Sequence, residues 1–138
     1  MRSLVLAVGL TLAAAAPAFA ADPVEGEWLT QDKAGKVRIA PCPGKPDRMC
    51  GTTSWIKDPS KTQDANNPDP TLKTRPLLGQ AVIRDFKQAA PGRWTGGKIY
   101  DPKSGKTYDS KLTANANGSL KVEGCVLFVC QAQTWTRD

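Results

Sequence analysis

The sequence has 138 residues, a formal net charge of +6 and no histidine. Without histidine the chain cannot form a Ser-His-Asp or Cys-His triad, and it has no imidazole to bind a metal or carry a proton. The length suits one ordinary domain, and the basic residues are spread along the chain, which is typical of a soluble surface.

The first twenty residues have the order of a secretory signal. Arg2 precedes an apolar run from Leu4 to Ala16, and Ala18-Phe19-Ala20 supplies a small-residue cleavage site. The run is shorter than the roughly 20 strongly apolar residues that span a bilayer, so we expect cleavage after Ala20 and no membrane-spanning segment. The protein is therefore expected in the periplasm or outside the cell. There it would not meet nucleic acid, but its basic surface could contact an anionic envelope surface, either lipid headgroups or polysaccharide.

Residues 21–138 are predicted to form a single all-β domain. Short segments rich in Val, Ile, Thr, Trp and Tyr alternate with Gly, Pro, Asn and Asp about every ten residues, which is typical of an antiparallel sandwich or barrel. The alternation of apolar and polar residues is clearest in the sixth and seventh segments. The pattern predicts eight strands, over Glu25–Asp32, Lys36–Pro41, Cys50–Lys57, Gln80–Lys87, Arg93–Asp101, Thr107–Ala114, Ser119–Gly124 and Gln131–Arg137.

A long loop from Asp58 to Pro76 separates the third and fourth predicted strands. A loop of this length is either a binding loop or lid, or a solvated excursion. Asp64, Asn66, Asn67 and Asp69 could offer oxygen ligands to calcium, but the glycine and glutamate of an EF-hand are missing. Asx turns before the prolines explain the same residues, so no metal site is predicted.

The four cysteines are Cys42, Cys50, Cys125 and Cys130. An even number in an exported chain favours disulfides over zinc. Three pairings are possible, and the local one, Cys42 with Cys50 and Cys125 with Cys130, is best supported because each pair brackets a segment that can turn back on itself. A zinc site of four thiolates fits these intervals only in part.

The first and last predicted strands carry Gly26-Glu27-Trp28 and Trp135-Thr136-Arg137. If these strands are neighbours in a closed barrel, the indole of Trp28 can stack on the guanidinium of Arg137 and close one end. We interpret Gly26, Trp28, Trp135 and Arg137 as closure residues rather than ligand contacts.

Gly-x-Trp at the start, with an arginine on the last strand, looks like the calycin superfamily of lipocalins and their relatives. A wider set of motifs resembles an exported bacterial family, domain of unknown function 2147, over nearly all of residues 21–138. The resemblance implies a lipocalin-like fold, here a small antiparallel up-and-down barrel of eight strands, and leaves the ligand and activity open. The motifs are Cys50-Gly51, Asn66–Pro70, Arg75–Gly79, Trp94–Pro102, Ser104–Tyr108, Gly124-Cys125 and Gln133–Arg137.

Five residues are candidates for binding a small molecule. Trp55, Tyr100 and Tyr108 would form an aromatic wall, while Asn67 and Arg75 from the long loop would hold a polar group. The competing interpretation is structural, since Trp and Tyr commonly fill the ends of small barrels.

The leading hypothesis is a periplasmic lipocalin-like protein that binds a small apolar or amphipathic molecule. The alternative is a solid-core module that docks on a protein, lipid headgroup or glycan through its long loop and basic surface. Gly96, Ser110, Ala114 and Gly124 are predicted to face inward and leave space, whereas the large aromatic residues could fill it. Catalysis is disfavoured because the carboxylates are scattered singly, and neither a catalytic residue nor a cofactor is predicted.

Overall fold

The computed structural model describes residues 8–12 and 21–137. The predicted cleavage site and most of the predicted signal segment lie outside the described residues. In the described part of the chain, no helix has the length and apolar character needed to cross a membrane.

Eight antiparallel strands form a single sheet in which each strand pairs with the next along the chain. The all-β architecture predicted from the alternating pattern, and the up-and-down order implied by the family resemblance, are therefore confirmed. A single turn of 3₁₀ helix covers Pro70–Leu72 in the long loop. The strands are β1 (Gly26–Leu29), β2 (Gly35–Cys42), β3 (Lys45–Ile56), β4 (Ala81–Ala90), β5 (Arg93–Asp101), β6 (Lys106–Ala114), β7 (Leu120–Val126) and β8 (Val129–Trp135).

The sheet curls until its first and last strands meet beside Leu29 and Thr136. The amide of Leu29 donates to the carbonyl of Thr136 at 2.6 Å, and the amide of Thr136 donates back at 3.1 Å. The result is a partly closed barrel. We call the end that holds the N-terminus of β1 the closed end, and the end that holds the long loop and the β1–β2, β5–β6 and β7–β8 turns the loop end.

Trp28 and Arg137 meet at the closed end. The guanidinium carbon of Arg137 lies 4.0 Å from the ring centroid of Trp28. Arg137 also donates to the carbonyls of Glu25 and Pro23, at 3.0 and 2.8 Å. A Cβ atom on Gly26, which has a φ of +125°, would collide with the guanidinium. Glycine is thus needed where the first strand passes beneath Arg137.

Buried side chains, several of them aromatic, pack on the inner face of the sheet. Phe86 of β4 occupies the space that a side chain at Gly97 would take. The prediction that Gly96 faces inward is wrong: Gly96 is exposed at an irregularity between Trp94 and Gly97, which turns Gly97 inward instead. The core consists of Val24, Trp28, Val37, Ile39, Met49, Val82, Ile83, Phe86, Trp94, Tyr100, Leu112, Leu120, Val122 and Trp135.

The cysteines form the two local pairs. The Cα atoms are 4.8 Å apart in Cys42–Cys50 and 4.0 Å apart in Cys125–Cys130. The first disulfide links β2 to β3 near their hairpin turn, and β3 begins at Lys45 rather than at Cys50 as predicted. Each disulfide therefore ties together two neighbouring antiparallel strands.

Candidate functional site

The long loop folds back on the barrel at the loop end. Its two arms pair at the bridge between Gln63 and Pro76. The side-chain Nδ2 of Asn66 donates to the backbone carbonyls of Pro102 and Lys103 in the β5–β6 turn, at 3.2 and 3.0 Å. A Cβ atom on Gly105 would collide with the carbonyl oxygen of Asn66, so glycine permits this close approach. The loop is thus docked on the barrel through specific contacts.

A buried carboxylate, Asp64, lies where the loop meets the sheet. One of its oxygens accepts hydrogen bonds from Asn67 at 2.8 Å, Gln80 at 3.2 Å and Arg75 at 3.3 Å. The other oxygen accepts from the hydroxyl of Tyr100 at 2.6 Å. Each carboxylate oxygen is therefore engaged, as a buried charge requires. We call these five residues the Asp64 cluster.

The cluster holds its two acidic groups in opposite protonation states at neutral pH. Burial acts to raise the pKa of Asp64, but the hydrogen bonds from Asn67, Tyr100, Gln80 and Arg75 outweigh it and hold that pKa below its ordinary value. Burial, the hydrogen bond to Asp64 and the charge of Asp64 raise the pKa of Tyr100 to about 12. Asp64 is therefore ionised while Tyr100 keeps its proton and donates it.

The structure brings together three of the five predicted ligand-binding residues. Asn67, Arg75 and Tyr100 all direct polar atoms at Asp64. Trp55 is 40% exposed outside the cluster, with the ammonium of Lys36 5.6 Å from its ring centroid. Sequence reasoning considered Asp64 only as a possible calcium ligand and missed its place at the centre of this cluster.

Tyr108, the fifth predicted residue, also lies apart from the cluster. It pairs with Ile99 on the neighbouring strand and packs over Gly124, where a Cβ atom would lie 3.7 Å from the Cβ of Tyr108. In the loop, Asn67 accepts from the amide of Asp69 at 2.8 Å, and Asp69 accepts from the amide of Thr71 at 2.9 Å. Asx turns therefore occupy residues that were also weighed as calcium ligands.

A groove of about 490 Å³ borders the cluster on the outer surface. Arg75 and Gln80 belong to both the groove and the Asp64 cluster, so one side of the groove is formed by loop residues that Asp64 holds in place. Arg84 is exposed and has no ion-pair partner within residues 21–137, and Leu78 is 55% exposed. We call this the outer groove, lined by Arg75, Pro76, Leu78, Gly79, Gln80, Ala81 and Arg84.

Two polar atoms at the base of the outer groove lack a hydrogen-bond partner among the described residues. They are Nε of Arg75, a donor, and Oε1 of Gln80, an acceptor. Both side chains are held through their other polar atoms by Asp64. Both atoms are buried from solvent, whereas the surface of the groove combines guanidinium groups with apolar side chains.

Residues 26–137 match a family model described as "Uncharacterized protein conserved in bacteria (DUF2147)". The chain belongs to this family. No curated protein matches the chain. Among solved structures, protein HP1028 from the human pathogen Helicobacter pylori, described as belonging to the lipocalin family, superposes with a TM-score of 0.73. The sequences are 24% identical, and the match covers 83% of this chain and 82% of HP1028.

The likeness to HP1028 concerns the fold. It confirms the lipocalin-like architecture that the motifs implied, and the DUF2147 match confirms the resemblance to that family. A fold alone does not determine a function, because function depends on the residues of a site. The outer groove and the Asp64 cluster are the features of this member from which a function can be argued.

Proposed function

We propose that this protein binds a small amphipathic molecule with an anionic head, and that the ligand occupies the outer groove. The observation that carries the proposal is that one groove of about 490 Å³ brings Arg75 and Arg84 together with exposed Leu78. Small-molecule sites commonly have volumes of about 300 to 1,000 Å³, with apolar walls and a few polar groups that fix orientation. The groove has that size and composition.

The two arginines have different parts in this proposal. Arg84 carries a charge with no ion-pair partner in residues 21–137, so it is the main contact for a carboxylate or a similar head. Arg75 is partly neutralised by Asp64, whose hydrogen bond holds the guanidinium in place. The apolar part of the ligand lies on Leu78 and Pro76.

The filled barrel favours an outer site over the interior. Lipocalin-like barrels can hold one small ligand inside, and this fold therefore suggests a ligand-binding protein. In this member, Trp28, Phe86 and Trp94 are among the side chains that pack the inner face. Close-packed interiors resist the insertion of further groups, so an outer groove is the better supported position.

Binding is favoured over catalysis by the state of the Asp64 cluster. General acid–base chemistry is most efficient when a group has a pKa near the working pH. The pKa of Asp64 lies below its ordinary value and that of Tyr100 is about 12, so neither is poised to exchange a proton near neutrality. We propose no catalytic residue and no cofactor.

We further propose that the protein works in the periplasm or outside the cell. Disulfides persist in oxidising compartments, and this chain has two, Cys42–Cys50 and Cys125–Cys130. The signal-like order of the first twenty residues supports the same location. A location in the envelope would also bring the groove near lipids and their degradation products.

Isothermal titration calorimetry with laurate tests the ligand and the site. We expect saturable binding to the wild type, and binding weaker by about tenfold in Arg84→Gln, because a charge-assisted hydrogen bond contributes about 1.5 to 3 kcal/mol. Lys87→Gln is a matched control, since Lys87 is another exposed cation of β4 without an ion pair in residues 21–137.

Dodecyltrimethylammonium, with a similar chain and a cationic head, should not bind the groove. Equal affinities for laurate in the wild type, Arg84→Gln and Lys87→Gln would show that the groove is not the site. A lack of heat with laurate and with other anionic amphiphiles would remove the proposed ligand class.

A further inference from the structure

The β7–β8 hairpin ends in four consecutive apolar residues that are open to solvent. Val126, Leu127, Phe128 and Val129 are 60%, 87%, 100% and 70% exposed. We call these residues the hairpin tip. Single exposed apolar residues are common on proteins, but a contiguous exposed group marks an interaction surface.

The tip is not paired with the β6 strand beside it. The ladder between β6 and β7 ends at Asp109 and Cys125, whereas the ladder between β7 and β8 continues to Val126 and Val129. Past Cys125 the hairpin is therefore a two-stranded ribbon without a neighbouring strand on the β6 side. The Cys125–Cys130 disulfide crosses the base of this ribbon and holds its strands together.

The residues of the turn are unusual for their position. Leu127 has a φ of +54°, in the left-handed region where two-residue hairpins normally use glycine or asparagine. A bulky residue there is a true conformational outlier, and such outliers cluster at functional positions. Both local conformation and solvation favour small polar residues at 127 and 128, yet the chain has Leu and Phe.

We propose that the hairpin tip inserts into the surface of an anionic phospholipid bilayer. Two residues of a strand extend about 7 Å, which carries the tip from the disulfide to the depth of about 5 to 10 Å at which interfacial segments bury their apolar groups. A stable protein partner would need about 800 Å² of surface on each side, far more than four side chains on a narrow convex tip present. A fluid bilayer requires no complementary pocket.

The charge around the tip fits an anionic surface. The hairpin has no charged residue between Glu123 and Arg137, so nothing charged must enter the bilayer with it. The other segments at the loop end carry five exposed lysines without an ion pair in residues 21–137, against two exposed carboxylates and one partly buried carboxylate without an ion pair. Lysines near an anionic leaflet each add attraction. The lysines are Lys33, Lys57, Lys61, Lys73 and Lys106, and the carboxylates are Asp58, Asp69 and Asp101.

Vesicle flotation tests the inference with the purified protein. Vesicles of equal parts phosphatidylglycerol and phosphatidylcholine should carry the wild type upward, more at low salt than at high salt. The double variant Leu127→Gly with Phe128→Asn should lose at least about tenfold in partitioning, because it removes the two largest apolar groups of the tip. Glycine suits the positive φ at 127, so this variant should melt no lower than the wild type.

Trp55→Ala is the matched control, because it removes an exposed aromatic side chain that belongs neither to the outer groove nor to the hairpin tip. It should keep the membrane binding of the wild type. The tip and the groove share no residue, so the inference does not rest on the proposed function, and the tip variant should still bind laurate.

Three results would overturn the inference. The wild type could fail to float with the anionic vesicles, or the tip variant could float as well as the wild type. Analytical ultracentrifugation could also show that the wild type is a dimer and the tip variant a monomer. In that case a second copy of the chain covers the tip.

Discussion

Asp64 is the residue that attaches the long loop to the sheet at the loop end. Burying an ionised carboxylate is costly unless its oxygens are fully hydrogen-bonded. Here the donors are Asn67 and Arg75 from the loop, Gln80 at its end and Tyr100 from β5. One carboxylate thereby fixes the loop to the sheet and holds the two residues that the loop contributes to the base of the outer groove.

Replacing this carboxylate by an amide should loosen the loop and change the response to acid. In Asp64→Asn, an NH₂ group would face donors of Asn67, Gln80 and Arg75, so we expect the free energy of unfolding at pH 7 to fall by about 2 to 3 kcal/mol. The pKa of Asp64 lies below the ordinary value of an aspartate, so its stabilisation is present above about pH 4 and is lost as the pH falls through the lower pKa of the folded state. Urea denaturation at several pH values measures both effects.

The expected signature is a difference between two proteins. Other carboxyl groups with lowered pKa values, such as that of Asp32 at about 2, titrate in the wild type and in the variant alike. Between about pH 4 and 2 the unfolding free energy should therefore fall less steeply in Asp64→Asn. Asp58→Asn, an exposed position in the same loop, should cost less than about 1 kcal/mol. Parallel pH curves for Asp64→Asn and the wild type would contradict the account.

Three of the side chains that surround Asp64 could be predicted from the sequence, but Asp64 itself could not. Asn67, Arg75 and Tyr100 could be chosen because loop amides, guanidinium groups and aromatic hydroxyls are common in binding sites. Asp64 could not, because its bond to Tyr100 joins positions 36 residues apart and no local pattern encodes it. Trp55 lies outside the cluster, 40% exposed and beside Lys36 on the neighbouring strand.

At the level of strands, the segments rich in β-forming residues, separated by turn residues, were sufficient to place all eight strands, and the inward faces were then assigned from a period of two. That assignment failed where the backbone leaves that period. At the irregularity in β5, Gly97 rather than Gly96 turns inward, and β3 starts at Lys45 because Cys42 and Lys45 flank a tight turn. Such irregularities shift by one position which side chains face the core, so the inward-facing residues could be predicted only in part.

The closed end depends on the contact between Trp28 of β1 and Arg137, which lies two residues after the end of β8. Trp28 is almost fully buried, lies 4.0 Å from the guanidinium carbon of Arg137 and donates from its indole nitrogen to Val24 at 2.9 Å. Trp28→Ala should lower the free energy of unfolding by about 3 to 5 kcal/mol, because it opens a large cavity and removes the ring beneath Arg137. Thermal and urea denaturation measure this loss.

Trp55→Ala is the control for this prediction. It removes an indole of the same size that is 40% exposed, and we expect a loss of less than about 1.5 kcal/mol. Similar losses in the two variants would show that Trp28 has no special role in closing the barrel.

Taken as a whole, the molecule is a packed sheet, and the two surfaces for which we propose binding, the outer groove and the hairpin tip, lie at its loop end. The motifs and the alternation predicted the lipocalin-like fold. They did not predict whether the barrel is hollow, because that depends on individual contacts such as Phe86 filling the space beside Gly97. Because aromatic and aliphatic side chains pack the interior, we propose that the ligand binds in the outer groove.

We propose that an anionic amphiphile binds in the outer groove and not inside the barrel. The most direct test is an NMR titration of ¹⁵N-labelled protein with laurate, followed through the backbone amides. We predict saturable shifts at Leu78, Gly79 and Ala81, with little change at Ile39 and Leu112 in the core. Shifts concentrated at Ile39, Leu112 and other core positions, with the groove unaffected, would contradict the account.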